Sequence, residues 1–378
     1  MSIRTHASEA TPLPRRSSHA ARPPWQLGAP LGAPAAVVPE AGPADTTVHV
    51  DPALTFQKLT GFGASLTDSS AAVLYRLDEK QREALMEELF SPQDGNGLSM
   101  LRQPIGASDF ATSLYSFDDV PAGRTDYGLK HFSVGHDTKQ ILPLLRQAKA
   151  LNPRLKVIAS PWSPPAWMKT GGSMIDGKLI DDPRIYDAYA RYLVKFVKAY
   201  AAHGVPVDYL TVQNEPQALL RADYPGTDLP VAQQAAVIER LGPALRKAGL
   251  RTKILGFDQN WAEHPFDVQA HVDAGDDPEL NYPFDLLKSR TESGSPGPRS
   301  TATTVTGATR IAASVAAAEG DTAAVQASAF MNPDGSTALV LHNPSTTVAH
   351  TTTISAPGVH VTTKVAPDST VTYTWARP

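Results

Sequence analysis

The sequence has no cysteine, and this absence excludes disulfides and thiolate metal sites. It also has no run of about 18 apolar residues, the length that a membrane-spanning helix needs. Charged residues make up only 19% of the 378 residues and the formal net charge is -4, so nothing indicates a nucleic-acid partner. Residues 1–30 lack the apolar stretch of a secretory signal, and we assign no cellular location.

Composition divides the chain into four parts. Residues 1–45 are rich in Pro, Ala and Gly without periodicity, which predicts a disordered leader. Residues 46–290 alternate short apolar runs with amphipathic stretches, which predicts a barrel domain with a large core. Residues 291–304 are rich in Ser, Gly, Pro and Thr and predict a linker. Residues 305–378 carry short Thr- and Val-rich strands of an antiparallel β-sandwich domain, to which residues 48–50 can add a strand.

The order of strands and helices in the barrel domain predicts a parallel sheet. Five apolar segments read as strands, each followed by polar or aromatic residues: 59–66, 98–104, 155–160, 207–216 and 252–257. Helical patterns separate them, so the connections are crossovers of the βα type. We therefore predict an α/β fold, an incomplete TIM (β/α)8-type barrel with about five recognisable βα units, because a closed barrel needs about eight.

A barrel of five strands leaves two unpaired edges and exposes its interior. We expect either a marginally stable chain or one whose sheet is completed by a partner or by the C-terminal strands. Self-association through the open barrel edges is one such route. A deletion, a gene-model error and a decayed homologue would all produce this sequence.

Candidate catalytic residues stand at the end of the fourth predicted strand. Asn214, Glu215 and Pro216 follow the apolar run of residues 207–212, and barrel enzymes keep their chemistry at the carboxyl ends of strands. Glu215 is our candidate for a general acid. The alternative is that Asn214 and Glu215 cap a following helix, because Asn is a favoured N-cap and Glu suits a first turn.

Two other strand ends add groups that suit a sugar. Trp162 and Trp167 lie in a proline-rich loop after the third strand, and Asp109 follows the second strand. Sugar rings stack their apolar faces on Trp and direct their hydroxyls at carboxylates and amides. This combination predicts a carbohydrate ligand. A structural alternative remains open for the two tryptophans, which can be core residues.

Five sequence blocks resemble glycoside hydrolase family 30, the glucosylceramidase-like retaining β-glycosidases. The blocks, in family order, are residues 59–71 (LTGFGASLTDSSA), 101–110 (LRQPIGASDF), 159–169 (ASPWSPPAWMK), 210–216 (LTVQNEP) and 254–261 (ILGFDQNW). Residues 307–375 resemble the family's accessory β-sandwich. The resemblance begins near residue 46 and continues to the end of the chain.

The resemblance implies roles for several residues. Glu215 matches the family's acid/base, and Asn214 matches the amide that contacts the sugar 2-hydroxyl. Asp109 and Trp162 match positions that bind the remaining hydroxyls. Arg102 matches a basic residue close to the nucleophile, although a structural ion pair is the alternative for it.

The family's nucleophile block has a counterpart only in Thr291-Glu292-Ser293-Gly294-Ser295. Glu292 is therefore the possible nucleophile, and a linker glutamate is the alternative, because no apolar strand precedes it. The implied function is hydrolysis of a β-glycosidic bond with retention, in a glucosylceramide-like or other β-glucoside. The alternative function is a catalytically inactive homologue that binds carbohydrate. The expected partner is a carbohydrate or glycolipid substrate, and no metal or cofactor is implied because carboxylate chemistry needs neither.

Overall fold

The computed structural model describes residues 4–8, 35–36, 43–216, 223–256, 258, 306–317 and 325–376. These residues form two compact units, one from Met1–Thr60 with Pro296–Pro378 and the other from Gly61–Ser295. In chain order the described elements are β1 (Arg4–Ser8), β2 (Ala35–Ala36), β3 (Thr46–Lys58), β4 (Gly63–Ser65), α1 (Asp68–Leu74), α2 (Glu79–Phe90), β5 (Met100–Ile105), α3 (Ile141–Leu151), β6 (Lys156–Pro161), the 3-10 turn Ala166–Met168, α4 (Pro183–Ala202), β7 (Tyr209–Thr211), α5 (Val231–Lys247), β8 (Lys253–Leu255), β9 (Thr309–Ala317), β10 (Gln326–Met331), β11 (Thr337–Asn343), β12 (His350–Ala356), β13 (Val359–Val365) and β14 (Ser369–Trp375).

The unit Gly61–Ser295 is built on a parallel sheet with the strand order β4-β5-β6-β7-β8. Every neighbouring pair is parallel, and the helices lie between consecutive strands in the chain. This is the architecture of a (β/α)8-type barrel, of which the described residues supply five strands. The prediction of an α/β barrel fold is therefore confirmed.

Local sequence explains where the helices of this unit begin. Thr67 and Asp78 are the N-caps of α1 and α2, and their side chains accept hydrogen bonds from the backbone N–H groups of Ser70 and Gln81. Such caps satisfy N–H groups that the first helical turn leaves without partners. Helix α3 buries one face against the sheet through residues at helical spacing: Ile141, Leu142, Leu144, Leu145 and Ala148.

The five-stranded sheet has two different faces, because successive side chains of a strand point to opposite sides. Leu101, Val157 and Leu210 belong to the large core that the helices cover. The other face carries a small cluster that we call the inner apolar layer: Met100, Ile158, Tyr209 and Leu255. Polar side chains follow this layer toward the carboxyl ends of the strands, and they form the candidate site described below.

The other unit is a β-sandwich domain built on a nine-stranded sheet, with the order β13-β12-β3-β9-β10-β11-β14-β1-β2. Its strands pair antiparallel except for β3 and β12, which are parallel. The hairpin between β10 and β11 turns at Asn332, whose carbonyl accepts from Gly335 N at 2.9 Å, and Gly335 has a φ of 82°. Glycine adopts this left-handed conformation without steric cost.

Strand β3 belongs with the C-terminal strands, as predicted for residues 48–50, and its residues lie within the range 46–290 that was predicted for the barrel domain. It pairs with β9 and β12, and its Val48 and Val50 are buried in the core of the β unit. The apolar residues of the alternating pattern in β3 therefore pack in the core of the β-sandwich domain. The predicted linker 291–304 and most of the predicted leader lie outside the described residues. Among the described residues, no helix combines the length and apolarity needed to cross a bilayer.

Strands β4 and β8 are the two edges of the five-stranded sheet as described.

Candidate functional site

Three neighbouring strands place polar side chains just beyond the inner apolar layer. Arg102, Ser160 and Thr211 each stand two residues after a member of that layer, on β5, β6 and β7 respectively. Their side chains are linked: Arg102 donates to Ser160 Oγ at 3.0 Å, and Thr211 donates to the same oxygen at 2.8 Å. Residues two positions apart in a strand lie on the same face, so these polar side chains form the next layer on the inner face, at the carboxyl ends of the strands.

Asp258, which follows β8, joins this polar layer through its carboxylate. Its Oδ2 accepts from Arg102 at 2.6 Å, from Ser160 Oγ at 2.7 Å and from Thr211 Oγ1 at 3.2 Å. Only 18% of the Arg102 side chain and 8% of the Asp258 side chain are exposed. A largely buried guanidinium paired with a carboxylate that has further donors is a rigid arrangement.

Arg102 also orients two predicted sugar-binding residues. Its guanidinium donates to Asn214 Oδ1 at 2.8 Å, and its Cζ lies 4.5 Å from the centroid of the Trp162 ring. Because a guanidinium can only donate, the side-chain oxygen of Asn214 faces Arg102 and its amide nitrogen points away as a donor. Trp162 is buried, with 7% of its surface exposed. The structure thus brings Arg102, Trp162 and Asn214 together.

Glu215 lies next to this group and has an unusual backbone conformation. Its φ is 45°, and its N–H donates to the carbonyl oxygen of Asp258 at 2.7 Å. The preceding Asn214 N–H donates to Pro161 O at 2.7 Å. A positive φ at a residue other than glycine costs about 1–3 kcal/mol and persists only where the surroundings hold it. Glu215 is partly exposed, so its carboxyl group can meet a ligand.

The helix-cap alternative for Asn214 and Glu215 finds no support in α5. That helix is the next one in the described part of the chain, it begins at Val231, and its N-cap is Pro230. The two residues instead continue the line of β7, where Asn214 forms an isolated parallel bridge with Asp258.

Asp109 and Trp167 are not brought to this group by any described hydrogen bond or ring contact. Asp109 is exposed beyond the end of β5. Trp167 belongs to the large core, and its indole N–H donates to Asp118 Oδ2 at 3.0 Å. The core alternative therefore describes Trp167 better than a sugar platform does. Glu292, the possible nucleophile, lies outside the described residues.

The partner of Trp167 has a pH-dependent role in stability. Asp118 is fully buried and its Oδ1 has no hydrogen-bond partner among the described residues. Burial raises the pKa of Asp118 to about 6, although the hydrogen bond from Trp167 opposes the rise. The folded protein therefore holds this proton above pH ~4, where an unfolded Asp loses it, so the free energy of unfolding falls as pH rises from about 4 to about 6.

Replacing Asp118→Asn removes this titration. We expect the variant to be more stable than the parent at pH 7 by about 1–3 kcal/mol, and its stability to vary less between pH ~4 and ~6. Urea unfolding at several pH values measures both effects. A variant that loses stability at pH 7 would show that the carboxylate stabilises its surroundings when ionised.

Sequence reasoning missed Asp258, Ser160 and Thr211 as members of the site. A signal was present, because Asp258 closely follows an apolar strand and the other two stand at the spacing of two on strands already predicted. Within the described ranges, no group of three or more His, Asp or Glu side chains could hold a metal ion.

Two family models match the chain. The model described as "Glycosyl hydrolase family 30 TIM-barrel domain" matches residues 59–276, and "Glycosyl hydrolase family 30 beta sandwich domain" matches residues 307–373. Endo-1,6-beta-D-glucanase of Neurospora crassa is 37% identical over 220 residues, which are 57% of this chain and 45% of that protein. Lysosomal acid glucosylceramidase of Mus musculus is 34% identical over 228 residues, 57% of this chain and 44% of that protein. The chain spans about half the length of the curated relatives it matches.

Solved structures show the same fold. A structure of an endo-beta1,6-glucanase has a TM-score of 0.73 at 24% identity, and SrfJ from Salmonella typhimurium has a TM-score of 0.77 at 21% identity. In both cases all of this chain and all of the other chain are covered. Because the two family models together match most of the chain, and in the same two parts that the structure shows, the chain belongs to glycosyl hydrolase family 30.

Proposed function

We propose that this glycoside hydrolase cleaves a β-glycosidic bond with retention and that Glu215 is its acid/base. The observation that carries the proposal is the placement of Glu215 beside the cluster of Arg102, Asn214 and Trp162, at the carboxyl end of a barrel strand. A partly exposed carboxyl group beside an ordered amide and an aromatic ring suits a sugar and its glycosidic oxygen.

In the proposed reaction, the Glu215 carboxyl group donates its proton to the glycosidic oxygen as the bond to the anomeric carbon breaks. The Glu292 carboxylate attacks that carbon and forms a glycosyl-enzyme. Glu215, now ionised, takes a proton from water, which attacks the same carbon and releases the sugar with its configuration retained. Retention requires the two carboxyl groups to lie about 5–5.5 Å apart.

The residues around Glu215 have supporting parts in this scheme. The amide nitrogen of Asn214 points away from Arg102 and can donate to a sugar hydroxyl. Trp162 offers a ring edge or face to the sugar, although Arg102 covers part of it. We propose Asp109 as a further contact for hydroxyl groups, since it is exposed beyond the end of β5.

We propose that the substrate is a β-glucoside. Glucosylceramide and β-1,6-glucan are the two candidate substrates. A glucosylceramidase and endo-1,6-β-D-glucanases are both among the relatives at similar identity. We expect reducing sugar to be released from one of these two substrates and little reducing sugar to be released from xylan, measured with equal enzyme and sugar concentrations. Release from xylan alone would contradict a β-glucoside specificity.

A catalytically inactive carbohydrate-binding homologue is the second candidate function. It is favoured by the cluster of Arg102, Asn214 and Trp162, which can bind a sugar without any nucleophile. Calorimetric titration with a β-glucoside, together with a long turnover assay, separates the two functions. Binding without any hydrolysis supports the inactive homologue, and hydrolysis eliminates it.

A further inference from the structure

Lys169 is a buried lysine whose hydrogen-bonded acceptors are backbone carbonyls. It directly follows the 3-10 turn Ala166–Met168, and only 2% of its surface is exposed. Its Nζ donates to Met174 O at 2.9 Å and to Gly226 O at 2.5 Å. Burial lowers the pKa of Lys169 to about 7. Burying an ammonium group costs free energy. We therefore ask which parts of the protein the Lys169 side chain joins.

The two carbonyls belong to different loops at the carboxyl ends of neighbouring strands. Met174 lies at the tip of residues 168–180, a hairpin closed by hydrogen bonds between Thr170 and Lys178 and between Ile180 and Met168. Gly226 lies in residues 223–229, which follow β7 and lead to α5. We call these segments the β6 hairpin and the β7 loop, and Lys169 joins them.

Backbone hydrogen bonds strengthen the same junction. Gly226 N–H donates to Met174 O at 3.2 Å, and Asp228 N–H donates to Gly177 O at 3.0 Å. Met174 O therefore accepts from both the Lys169 ammonium and the Gly226 amide, so the side chain and the backbone act on one carbonyl. Without Lys169, Met174 O would keep only the Gly226 amide as a donor, and Gly226 O would lose the ammonium.

The β7 loop contacts the residue that follows Glu215. Leu229 is fully buried, and its N–H donates to Pro216 O at 2.8 Å. On the other side of Glu215, its own N–H donates to Asp258 O at 2.7 Å. These two bonds bracket the residue with a φ of 45°, and such a conformation persists only when its surroundings determine it fully.

We propose that Lys169 is a positioning residue for Glu215: by joining the β6 hairpin to the β7 loop, it fixes the Leu229–Pro216 contact that holds the Glu215 backbone. The catalytic part of this proposal rests on the proposed function of Glu215. Lys169 acts through the two loops and contacts no reacting atom in this scheme.

Lys178 supplies a matched control. It lies on the same β6 hairpin, and its Nζ is 3.3 Å from Asp228 Oδ2 in the β7 loop. Its side chain is 59% exposed, so this ion pair is solvated and weak. Both lysines therefore link the same two segments, and only one of them is buried.

The test compares Lys169→Met and Lys178→Met by hydrogen exchange in the full chain. We expect the amides of Gly226, Leu229 and Glu215 to exchange about tenfold faster or more in Lys169→Met, while those of α3 are unchanged and Lys178→Met resembles the parent. Unchanged exchange at Glu215, or equal effects in the two variants, overturns the proposal. If Lys169→Met does not unfold cooperatively, Lys169→Gln, which keeps an amide donor, takes its place in the same comparison.

Kinetics separate this proposal from the proposed function. In an active parent, Lys169→Met should lower kcat/KM by about tenfold or more for glucosides with poor leaving groups and by less than about threefold for dinitrophenyl glucosides. Equal loss on both substrates overturns the positioning role. A parent that hydrolyses neither substrate overturns the proposed function, and hydrogen exchange at Glu215 then decides the role of Lys169 alone.

Discussion

Replacing Glu215→Gln is expected to lower kcat/KM by about 10²–10⁴-fold for β-glucosides with poor leaving groups, because the amide cannot donate a proton to the glycosidic oxygen. Dinitrophenyl glucosides need no such proton, so their kcat/KM should stay within a few-fold of the parent value. The amide has nearly the shape of the carboxyl group, which leaves the backbone of Glu215 undisturbed. Steady-state kinetics on the two substrates measure the difference.

Glu239→Gln is the control for this change. Glu239 is exposed on α5, so the same chemical substitution there should leave both rates unchanged. Equal loss on the two substrates in Glu215→Gln would argue against a role as acid, since damage to binding or folding affects both alike.

Replacing Asp258→Ala is expected to lower the free energy of unfolding by about 3–5 kcal/mol, because it leaves the Arg102 guanidinium in a mostly buried place without its carboxylate. Ser160 and Thr211 lose an acceptor in the same step. Since Arg102 also orients Asn214, we expect hydrolysis of β-glucosides to fall with the stability. Urea unfolding at pH 7 measures the first effect, and kcat/KM measures the second.

The matched control is Asp187→Ala, which removes the carboxylate of an exposed ion pair. Asp187 Oδ1 is 2.9 Å from Arg240 Nε, and its side chain is 53% exposed. Exposed pairs of this kind contribute about 0–1 kcal/mol. Similar losses in the two variants would show that Asp258 is not a structural partner of the buried guanidinium.

Much of the barrel unit was predictable because its signals are local. Thr67 and Asp78 are residue types that favour helix N-caps, and apolar residues recur at helical spacing along α3 and α4. The strand predicted over residues 207–216 is shorter in the structure, where β7 is Tyr209–Thr211 and Asn214 forms an isolated parallel bridge with Asp258 beyond its end.

The site was predictable only in part. Arg102, Asn214 and Trp162 lie together, as expected for residues at the ends of neighbouring parallel strands. The indole of Trp167 is held in the core by a hydrogen bond to Asp118, which is 49 positions away in the chain. No local sequence pattern reveals such a partner. The role of Asp258 likewise depends on contacts with three other strands.

The neighbours of β3 were predictable only in part. Residues 48–50 were expected to add a strand to the β-sandwich domain, and they do, but an alternating strand does not show which strands lie beside it or in what register. Val48 and Val50 lie in the core of the β-sandwich unit, which is assembled from strands more than 250 residues further along the chain. Partners that distant are set by packing, which the pattern of one segment cannot specify.

Covalent labelling with a fluorinated glucosyl fluoride tests the retaining mechanism most directly, because this reagent forms the glycosyl-enzyme and releases it slowly. Trypsin releases residues 291–299 (TESGSPGPR), a peptide whose only carboxyl side chain is that of Glu292. We predict that the intact protein gains the mass of one fluoroglucosyl group and that this group is found on that peptide. An unchanged mass, or a label on any other peptide, would contradict the account.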